Sequence, residues 1–453
     1  MVLTRRFLVL ALALSAVVLL LPSPTTVWLC LALVVVAAVV DLILAGSPRR
    51  VRIERIPTGP VRLGERTTAA TRLVSTGRRT LRGSVKDGWQ PTARAEQTAH
   101  TLRIAPQESQ QVVTVLRPVR RGDLRSRFVT VRSLGPLGLA ARQVTHRVVH
   151  TQKVMPPFRS RRHLPSKLQR LRELDGQTAV QLRGAGTEFD SLRDYVRGDD
   201  VRSIDWRATA RRQHLVVRTW RPERDRRVII CLDSSRTSAA RIGIPDPKDP
   251  HHHRNEATGP VVADEPRLDT GMEASLLLGV LAASAGDRVD FLGFDRQVVA
   301  RASSAAIPSG RDLLGQMVSA MATMRPELVE ADFSRLPAHV AQVSSQRSLV
   351  VLLTSLDSAS LEEGLLPVLS ALTSKHLVVL AAVRDPELDR RTTARGTPAE
   401  VYRAAAAERA LIEKDALKSQ LSALGVEVVE GSPEELPPML ADTYIRLKAT
   451  GRL

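Results

Sequence analysis

The sequence predicts an α/β chain in three parts: an N-terminal two-helix transmembrane hairpin, an antiparallel β-sandwich, and a doubly wound, mostly parallel sheet. Three observations carry this. Two long apolar runs stand at the N-terminus, and short stretches of alternating polarity come after them. From Arg227 onward, wholly apolar runs of strand length alternate with amphipathic helical stretches. At 453 residues the chain has the length of two or three domains. The boundaries fall at 1–48 for the hairpin, 49–156 for the sandwich, 157–226 for a basic linker and charged segment, and 227–453 for the parallel sheet.

Phe7 to Leu21 reads FLVLALALSAVVLLL and is closed by Pro22 and Pro24. Thr26 to Ala45, TVWLCLALVVVAAVVDLILA, has the length of about 20 residues that crosses about 30 Å of hydrocarbon. The first run is short enough for a signal peptide, but no small-x-small cleavage site precedes Pro22 and a second apolar run comes at once. Arg5 and Arg6 precede the first run, Arg49, Arg50, Arg52 and Arg55 come after the second, and PSPTT between them is uncharged. This asymmetry places both ends in the cytoplasm and the chain in the inner or plasma membrane. Asp41, near the inner end of the second run, is expected among the headgroups or against a partner helix. Much of the arginine beyond it is expected to face anionic lipid.

Between Val51 and Met155 the stretches RVRIERI, TTAATRLV, HTLRIA, QQVVTVLRPV, RFVTVRSL and RQVTHRVV alternate in polarity, separated by turns such as PTGP, STGRR and VKDGWQP. That is the pattern of an antiparallel sandwich with one wet face per sheet. RRGDLRSRFVTVRSLGPLGLA reads as strand, turn at Gly135 and Pro136, and strand. RSRRHLPSKLQRLREL, Arg159 to Leu174, reads as a basic linker, solvated or resting on the membrane.

The charged segment GTEFDSLRDYVRGDDVRSIDWRATARR, Gly186 to Arg212, mixes acids and bases around Tyr195 and Trp206. General acid–base work needs groups with displaced pKa values in a shielded cleft, whereas Arg193, Arg197, Arg202 and Arg207 would hold Asp194, Asp199, Asp200 and Asp205 ionised. The sequence therefore argues against an enzyme. A nucleic-acid grip is disfavoured because the acids nearly balance the bases, despite a formal net charge of +19 over the whole chain. The remaining reading is a latch. In it Arg–carboxylate pairs, a turn at Gly198 and apolar anchors at Phe189, Leu192, Tyr195, Ile204 and Trp206 fix the segment against the sheet edge and the β domain. Glu188, Arg193, Tyr195, Asp199, Asp200, Arg202, Asp205, Trp206 and Arg211 are the candidates for such a surface, which a partner would also meet.

VIICLD, SLVVLLTSLD and KHLVVLAAVRD are continuous apolar runs, as strands buried on both faces require. In doubly wound sheets ligands bind at the carboxyl ends of the strands. Those ends carry Asp233, Asp295, Asp357 and Asp385. The first continues D-S-S-R-T-S, so Asp233, Ser235 and Thr237 converge either on a hard cation such as Mg²⁺ or on backbone amides of a strand-to-helix turn. A Pro- and Asp-rich insert at about 242–267 carries His251, His252 and His253, a tract that suits a disordered insertion better than a Ni²⁺ or Zn²⁺ site. No G-x-x-x-x-G-K-[ST] occurs, so the chain is not itself a P-loop ATPase. Cys30 and Cys231 both lie in apolar runs, which argues against a disulfide framework.

From Gly184 to Arg211 the order G-x-G-T-E-F-x-x-L-R-x-Y-x-x-G-D-D-x-R-x-I-D-W-x-x-T-A-R resembles the bacterial membrane family called domain of unknown function 58, DUF58. The stretch 227–453 resembles a von Willebrand factor A-like domain, and with the hairpin and β domain the resemblance covers nearly the whole chain. It implies a metal-ion-dependent adhesion site, partnership with a MoxR-type AAA+ ATPase in complex assembly or envelope maintenance, and no established enzymatic activity. On the metal loops, Asp233 and Ser235 match and Thr237 replaces the usual serine. The second loop, VEADFSRL, lacks the usual threonine, with Glu330 or Asp332 as stand-ins. In the third loop Thr354 matches, Ser355 stands where an acid is usual, and Asp357 lies two residues late. A structural envelope protein with a metal-free A-like domain, binding through its sandwich, is the alternative.

Overall fold

The apolar N-terminal runs form α1 (Arg5–Leu20) and α2 (Pro24–Leu44), the second started by Pro24 and by Ser23, whose hydroxyl accepts the Thr26 amide. In this computed structural model residues 2–181, 188–197, 199–221, 226–242, 265–304, 313–356 and 361–453 are described. The segment 24–50, with a mean hydropathy of 2.9, is the one helical stretch among them long and apolar enough to cross a membrane. The chain divides into two units, Met1–Met155 and Pro156–Leu453.

In the first unit β1 (Val2–Leu3) leads into α1, and α2 is succeeded by β2 (Val51–Arg55), β3 (Val61–Arg62), β4 (Thr67–Ser75), β5 (Leu81–Trp89), β6 (Ala99–Ile104), β7 (Ser109–Leu116), β8 (Gly122–Leu134) and β9 (Ala140–Met155). One sheet runs β2-β4-β7; the other runs β1-β9-β8-β5-β6, with β3 alongside β9. All pairings are antiparallel except β3 with β9. Val51, Leu73, Leu81, Val85, Leu102, Ile104, Val112, Val129 and Val131 form the core, the inward half of each alternating stretch.

Two differences from the sequence reading have the same cause, a buried carboxylate. Asp41 is not exposed to headgroups or to a partner helix; it is fully buried. Its Oδ1 accepts the Leu137 amide at 2.7 Å, and its Oδ2 accepts those of Leu139 and Ala140 at 2.7 and 2.8 Å. It thus fills the turn joining β8 to β9. A Cβ on Gly135 would fall 2.2 Å from Asp41 Oδ1, so the turn needs glycine there. The start of α1 reaches the same turn, where Thr4 Oγ1 donates to the Gly138 carbonyl at 2.5 Å. The second difference is VKDGWQP, which is not a turn. β5 runs through it to Trp89 because Asp87 faces inward, paired with Arg55 of the opposite sheet. Arg55 Nη1 and Nη2 donate to the two Asp87 oxygens at 2.7 and 2.9 Å, and Ser126 and Trp89 donate to the same carboxylate at 2.6 and 2.9 Å. Arg55 therefore does not face lipid.

The second unit opens with α3 (Leu164–Gln181) where a linker was expected. Arg159 pairs with Glu273, and Lys167 with Asp442, so these basic residues bind within the unit and not to a membrane. Next come β10 (Glu188–Asp194), α4 (Trp206–Arg212), β11 (Val216–Arg221), β12 (Arg227–Asp233), and the short ribbon of β13 (Arg241–Ile242) with β14 (Glu265–Pro266). The remaining elements are α5 (Arg267–Ser284), β15 (Arg288–Phe294), β16 (Val298–Ser303), α6 (Leu313–Thr323), α7 (Leu336–Val343), β17 (Leu349–Leu353), α8 (Leu366–Thr373), β18 (Leu377–Val383), α9 (Pro386–Thr393), α10 (Pro398–Ala423), β19 (Glu427–Gly431) and α11 (Leu436–Ala449).

The sheet order is β16-β15-β12-β17-β18-β19, parallel except for β16. Counted within this sheet it is 3-2-1-4-5-6, the doubly wound order. Ile229 and Cys231 of β12 pack with residues of α7, α8 and α10. A Cβ on Gly271 or Gly279 of α5 would meet Leu232 or Ile230, so the alternate residues face α5. Helix α9 was not foreseen, although Asp385 caps the Glu387 amide and Pro386 opens it.

The Asp87 carboxyl is raised by burial but lowered more by its bonds from Arg55, Ser126 and Trp89, ending below its ordinary value. A depressed folded value stabilises above the unfolded carboxylate range, near pH 4, and that contribution is lost as pH falls through the folded value. We expect Asp87→Ala alone to cost about 3–5 kcal/mol in denaturant unfolding, and Arg55→Met/Asp87→Leu together to recover much of it. A double-variant loss no smaller than that of Asp87→Ala would show that a stranded Arg55 charge is not what the single substitution costs.

Candidate functional site

β12 and β17 are parallel neighbours with Leu232 opposite Leu353, so the next residues, Asp233 and Thr354, lie side by side at the carboxyl edge of the sheet. Thr354 Oγ1 donates to Asp233 Oδ2 at 2.6 Å, and Thr237 Oγ1 donates to the same oxygen at 3.2 Å. Asp233 Oδ1 accepts the Ser235 amide at 2.8 Å, and the hydroxyls of Ser235 and Thr237 lie 3.4 Å apart. The chain folds back here because Ser238 Oγ donates to the Asp233 carbonyl at 2.6 Å, a tie the sequence reading missed in a loop rich in hydroxyls. Asp233, Ser235 and Thr237 are all buried. Four of the five residues named for a metal are thus together; Asp357 lies outside the described residues.

The other acids of the edge are turned to different work. Asp295 accepts the Gln297 amide and Asp385 caps α9. The second loop does pack on the first, with the Arg236 amide on the Val329 carbonyl and the Glu327 amide on that of Ser234. Its acids are engaged elsewhere: Glu330 pairs with Arg236 at 2.7 Å, and Asp332 pairs with Arg335 at 3.0 Å. Neither of these contacts brings a carboxylate to Asp233, so among the described residues the row of converging acids reduces to one.

Burial pushes the Asp233 carboxyl above its ordinary value, against hydrogen bonds from Thr354, Ser235 and Thr237 that favour the ionised form. None of these contacts brings an arginine or lysine to it; its company is hydroxyls. Ser355 adds a further buried hydroxyl that has no hydrogen-bond partner among the described residues. An all-oxygen donor set with one carboxylate fits a hard cation such as Mg²⁺ or Mn²⁺ rather than a soft one, and with a single formal charge it would hold it weakly. No group of three or more His, Cys, Asp or Glu with metal-ligand geometry occurs among the described residues. Burial pushes the nearby Cys231 thiol up to about 12, so it stays protonated. The His tract at 251–253 lies outside the described residues.

In the charged segment β10 and β11 form an antiparallel pair that encloses α4. Arg193 pairs with Asp199 at 2.6 Å, Arg218 with Asp205 at 2.8 Å, and His214 with Asp194 at 2.9 Å. Asp199 also accepts the Val196 amide, Asp200 caps the Arg202 amide, and Asp205 caps α4 through the amides of Arg207 and Ala208. The Arg193 bond holds the Asp199 carboxyl below its ordinary value; the Ala208 amide, then Arg218, does the same for Asp205. Asp194, Asp199, Asp200 and Asp205 thus find their partners inside the segment.

Trp206 is no anchor; it is 65% exposed at the first turn of α4, with Arg211 also exposed. The buried apolar residues are Val216 and Val217, opposite Ile204, which the sequence reading passed over. Tyr195 and Ile204 are half-buried. Glu188 and Phe189 are placed on β10, while Gly184 to Thr187 and Gly198 lie outside the described residues.

Two substitutions test these contacts. Replacing the buried charge by Asp233→Asn is expected to raise the metal-free melting temperature at pH 7 by roughly 2–4 °C, the shift about 1 kcal/mol produces in a domain of this size; a lower temperature would mean that the carboxylate is already compensated. Asp205→Ala is expected to speed amide exchange at Arg207 and Ala208 while leaving the Val228–Leu232 amides unchanged, and unchanged exchange at both places would remove Asp205 as the cap.

No curated protein matches the chain. Among solved structures it is similar to a chain from the complex of Zinc 2-glycoprotein and Prolactin inducible protein from human seminal plasma. That match has 14% identity, covers 23% of this chain and 92% of that one, and has a TM-score of 0.19. It is also similar to the ASH/PapD-like domain 7 of human CEP192, with 15% identity, 23% and 84% coverage, and a TM-score of 0.16. Neither bears on what this chain does. A family model described as "Protein of unknown function DUF58" matches residues 191–244, taking in most of β10, α4, β11, β12 and the Asp233 loop. The charged segment and the first buried strand together therefore carry the chain's match to the DUF58 family.

Proposed function

We propose that the protein is a membrane-anchored, non-catalytic adaptor whose second unit is a von Willebrand A-like domain. It binds protein partners at the carboxyl edge of that sheet and works with a MoxR-type AAA+ ATPase in complex assembly or envelope maintenance. The observation that carries the reading is the convergence of Ser235, Thr237 and Thr354 on Asp233 at the edge of a 3-2-1-4-5-6 sheet. Asp233, Ser235, Thr237 and Thr354 would hold Mg²⁺, whose chemistry there is to offer an open coordination position to a carboxylate of the partner. The exposed part of the charged segment, Trp206 with Arg202 and Arg211, supports a second contact with a protein.

A two-pass anchor with both termini in the cytoplasm is supported by Thr4 and Asp41 meeting one turn, which puts the start of α1 and the end of α2 at the same level. The metal-free scaffold, binding through its sandwich, is favoured by one observation: the Thr354 hydroxyl already donates to Asp233, closing the carboxylate without a cation.

Detergent-solubilised full chain used as bait is expected to capture an AAA+ protein in the presence of Mg²⁺, and Asp233→Ala to weaken that capture at least severalfold. Equal capture by the variant would remove the metal-edge mechanism. Calorimetric titration of the full chain with Mg²⁺ and Mn²⁺ separates the two readings: heat with either ion supports the cation-bearing domain, and no heat with both supports the scaffold.

A further inference from the structure

The base of the N-terminal helices is surrounded by arginines drawn from three distant parts of the chain. Arg5 and Arg6 open α1, Arg49 and Arg50 lie just past α2, and Arg78 and Arg79 stand on the turn between β4 and β5. All six are exposed and pair with no acid among the described residues. Contacts place them in one layer. The Thr76 amide and hydroxyl both donate to the Arg50 carbonyl, which brings the β4–β5 turn to the end of α2. Arg79 donates to the carbonyl of Ile43, in the last turn of α2. A Cβ on Gly138 would lie 3.1 Å from Arg6 Nη1, so Arg6 lies against the β8–β9 turn.

Asp41, the acid in that layer that would oppose an anion, is withdrawn from it. Its two oxygens are taken by the amides of Leu137, Leu139 and Ala140, and it has no exposed surface. The same clamp holds out Leu137, an apolar side chain 52% exposed at the tip of the turn, beside the helix that is long and apolar enough to span a bilayer.

We infer that this layer is a docking collar for anionic phospholipid headgroups: the arginines bind phosphate at the membrane surface, while Leu137, set by Asp41, enters the headgroup boundary. Six guanidinium groups without acids complement a surface of phosphodiesters, and a basic side chain near an anionic leaflet contributes about 1 kcal/mol. The collar fixes the level at which the sandwich stands against the bilayer. The inference rests on the membrane anchoring proposed above.

The test uses full chain in nanodiscs of equal phosphatidylglycerol and phosphatidylcholine, with the lipids retained on the protein counted by native mass spectrometry. Wild type is expected to retain phosphatidylglycerol preferentially. Arg49→Gln, Arg50→Gln, Arg78→Gln and Arg79→Gln are expected to reduce that preference by roughly fivefold for each arginine removed. Arg117→Gln/Arg125→Gln, at the opposite ends of β7 and β8 from the helices, is expected to leave it unchanged. Equal retention of the two lipids by wild type, or an undiminished preference in the four-arginine variant, would overturn the collar. Carbonate extraction of native membranes tests the anchoring separately. A chain that resists extraction but shows no lipid preference loses only the collar; a chain that is stripped off loses the anchoring and the collar with it.

Discussion

A carboxylate removed from water must be repaid by donors or counter-charge, and much of this structure is arranged around three of them. Asp41 is met by three backbone amides, Asp87 by a bidentate arginine, and Asp233 by an amide and hydroxyls. The first two are settled. Three amides occupy both oxygens of Asp41 and a guanidinium neutralises Asp87, so these sites behave as fasteners. Asp233 differs in kind. Hydroxyls favour its ionised form but carry no positive charge, and burial keeps the carboxyl above its ordinary value. A buried charge short of a counter-ion, at the edge of a sheet where chains of this architecture bind ligands, has a physical use for a cation.

The sheet that positions Asp233 was legible in the sequence because its strands are buried on both faces. VIICL, LVVLL and LVVLAAV contain no polar residue of the kind a half-exposed strand would carry, and their ends mark the edge directly. The neighbourhood of Asp233 and Thr354 is the consequence of two such strands lying side by side in register. Alternation gave the sandwich strands in the same way, since the residues that meet in its main cluster are apolar.

The features that were not legible have physical reasons. Asp41 and its turn are 96 residues apart at the nearest bond, and nothing local tells an acid at a helix end that distant amides await it. Asp87 looks like a turn residue until Arg55 is placed across the sheets. Trp206 has the size of an anchor, but the two valines of β11 take the interior and leave it outside. The acids of the edge were over-read: Asp295 and Asp385 cap backbone amides, a role as common for aspartate after a strand as ligation is rare.

The most direct measurement is diffraction from crystals of the chain soaked in Mn²⁺, using the anomalous signal of the ion. A cation-bearing edge should give a peak about 2.0–2.2 Å from Asp233 Oδ2, with the Thr354 hydroxyl turned to ligate it rather than to donate. No peak at saturating Mn²⁺, with Thr354 still donating to an otherwise unchanged Asp233, would rule that edge out.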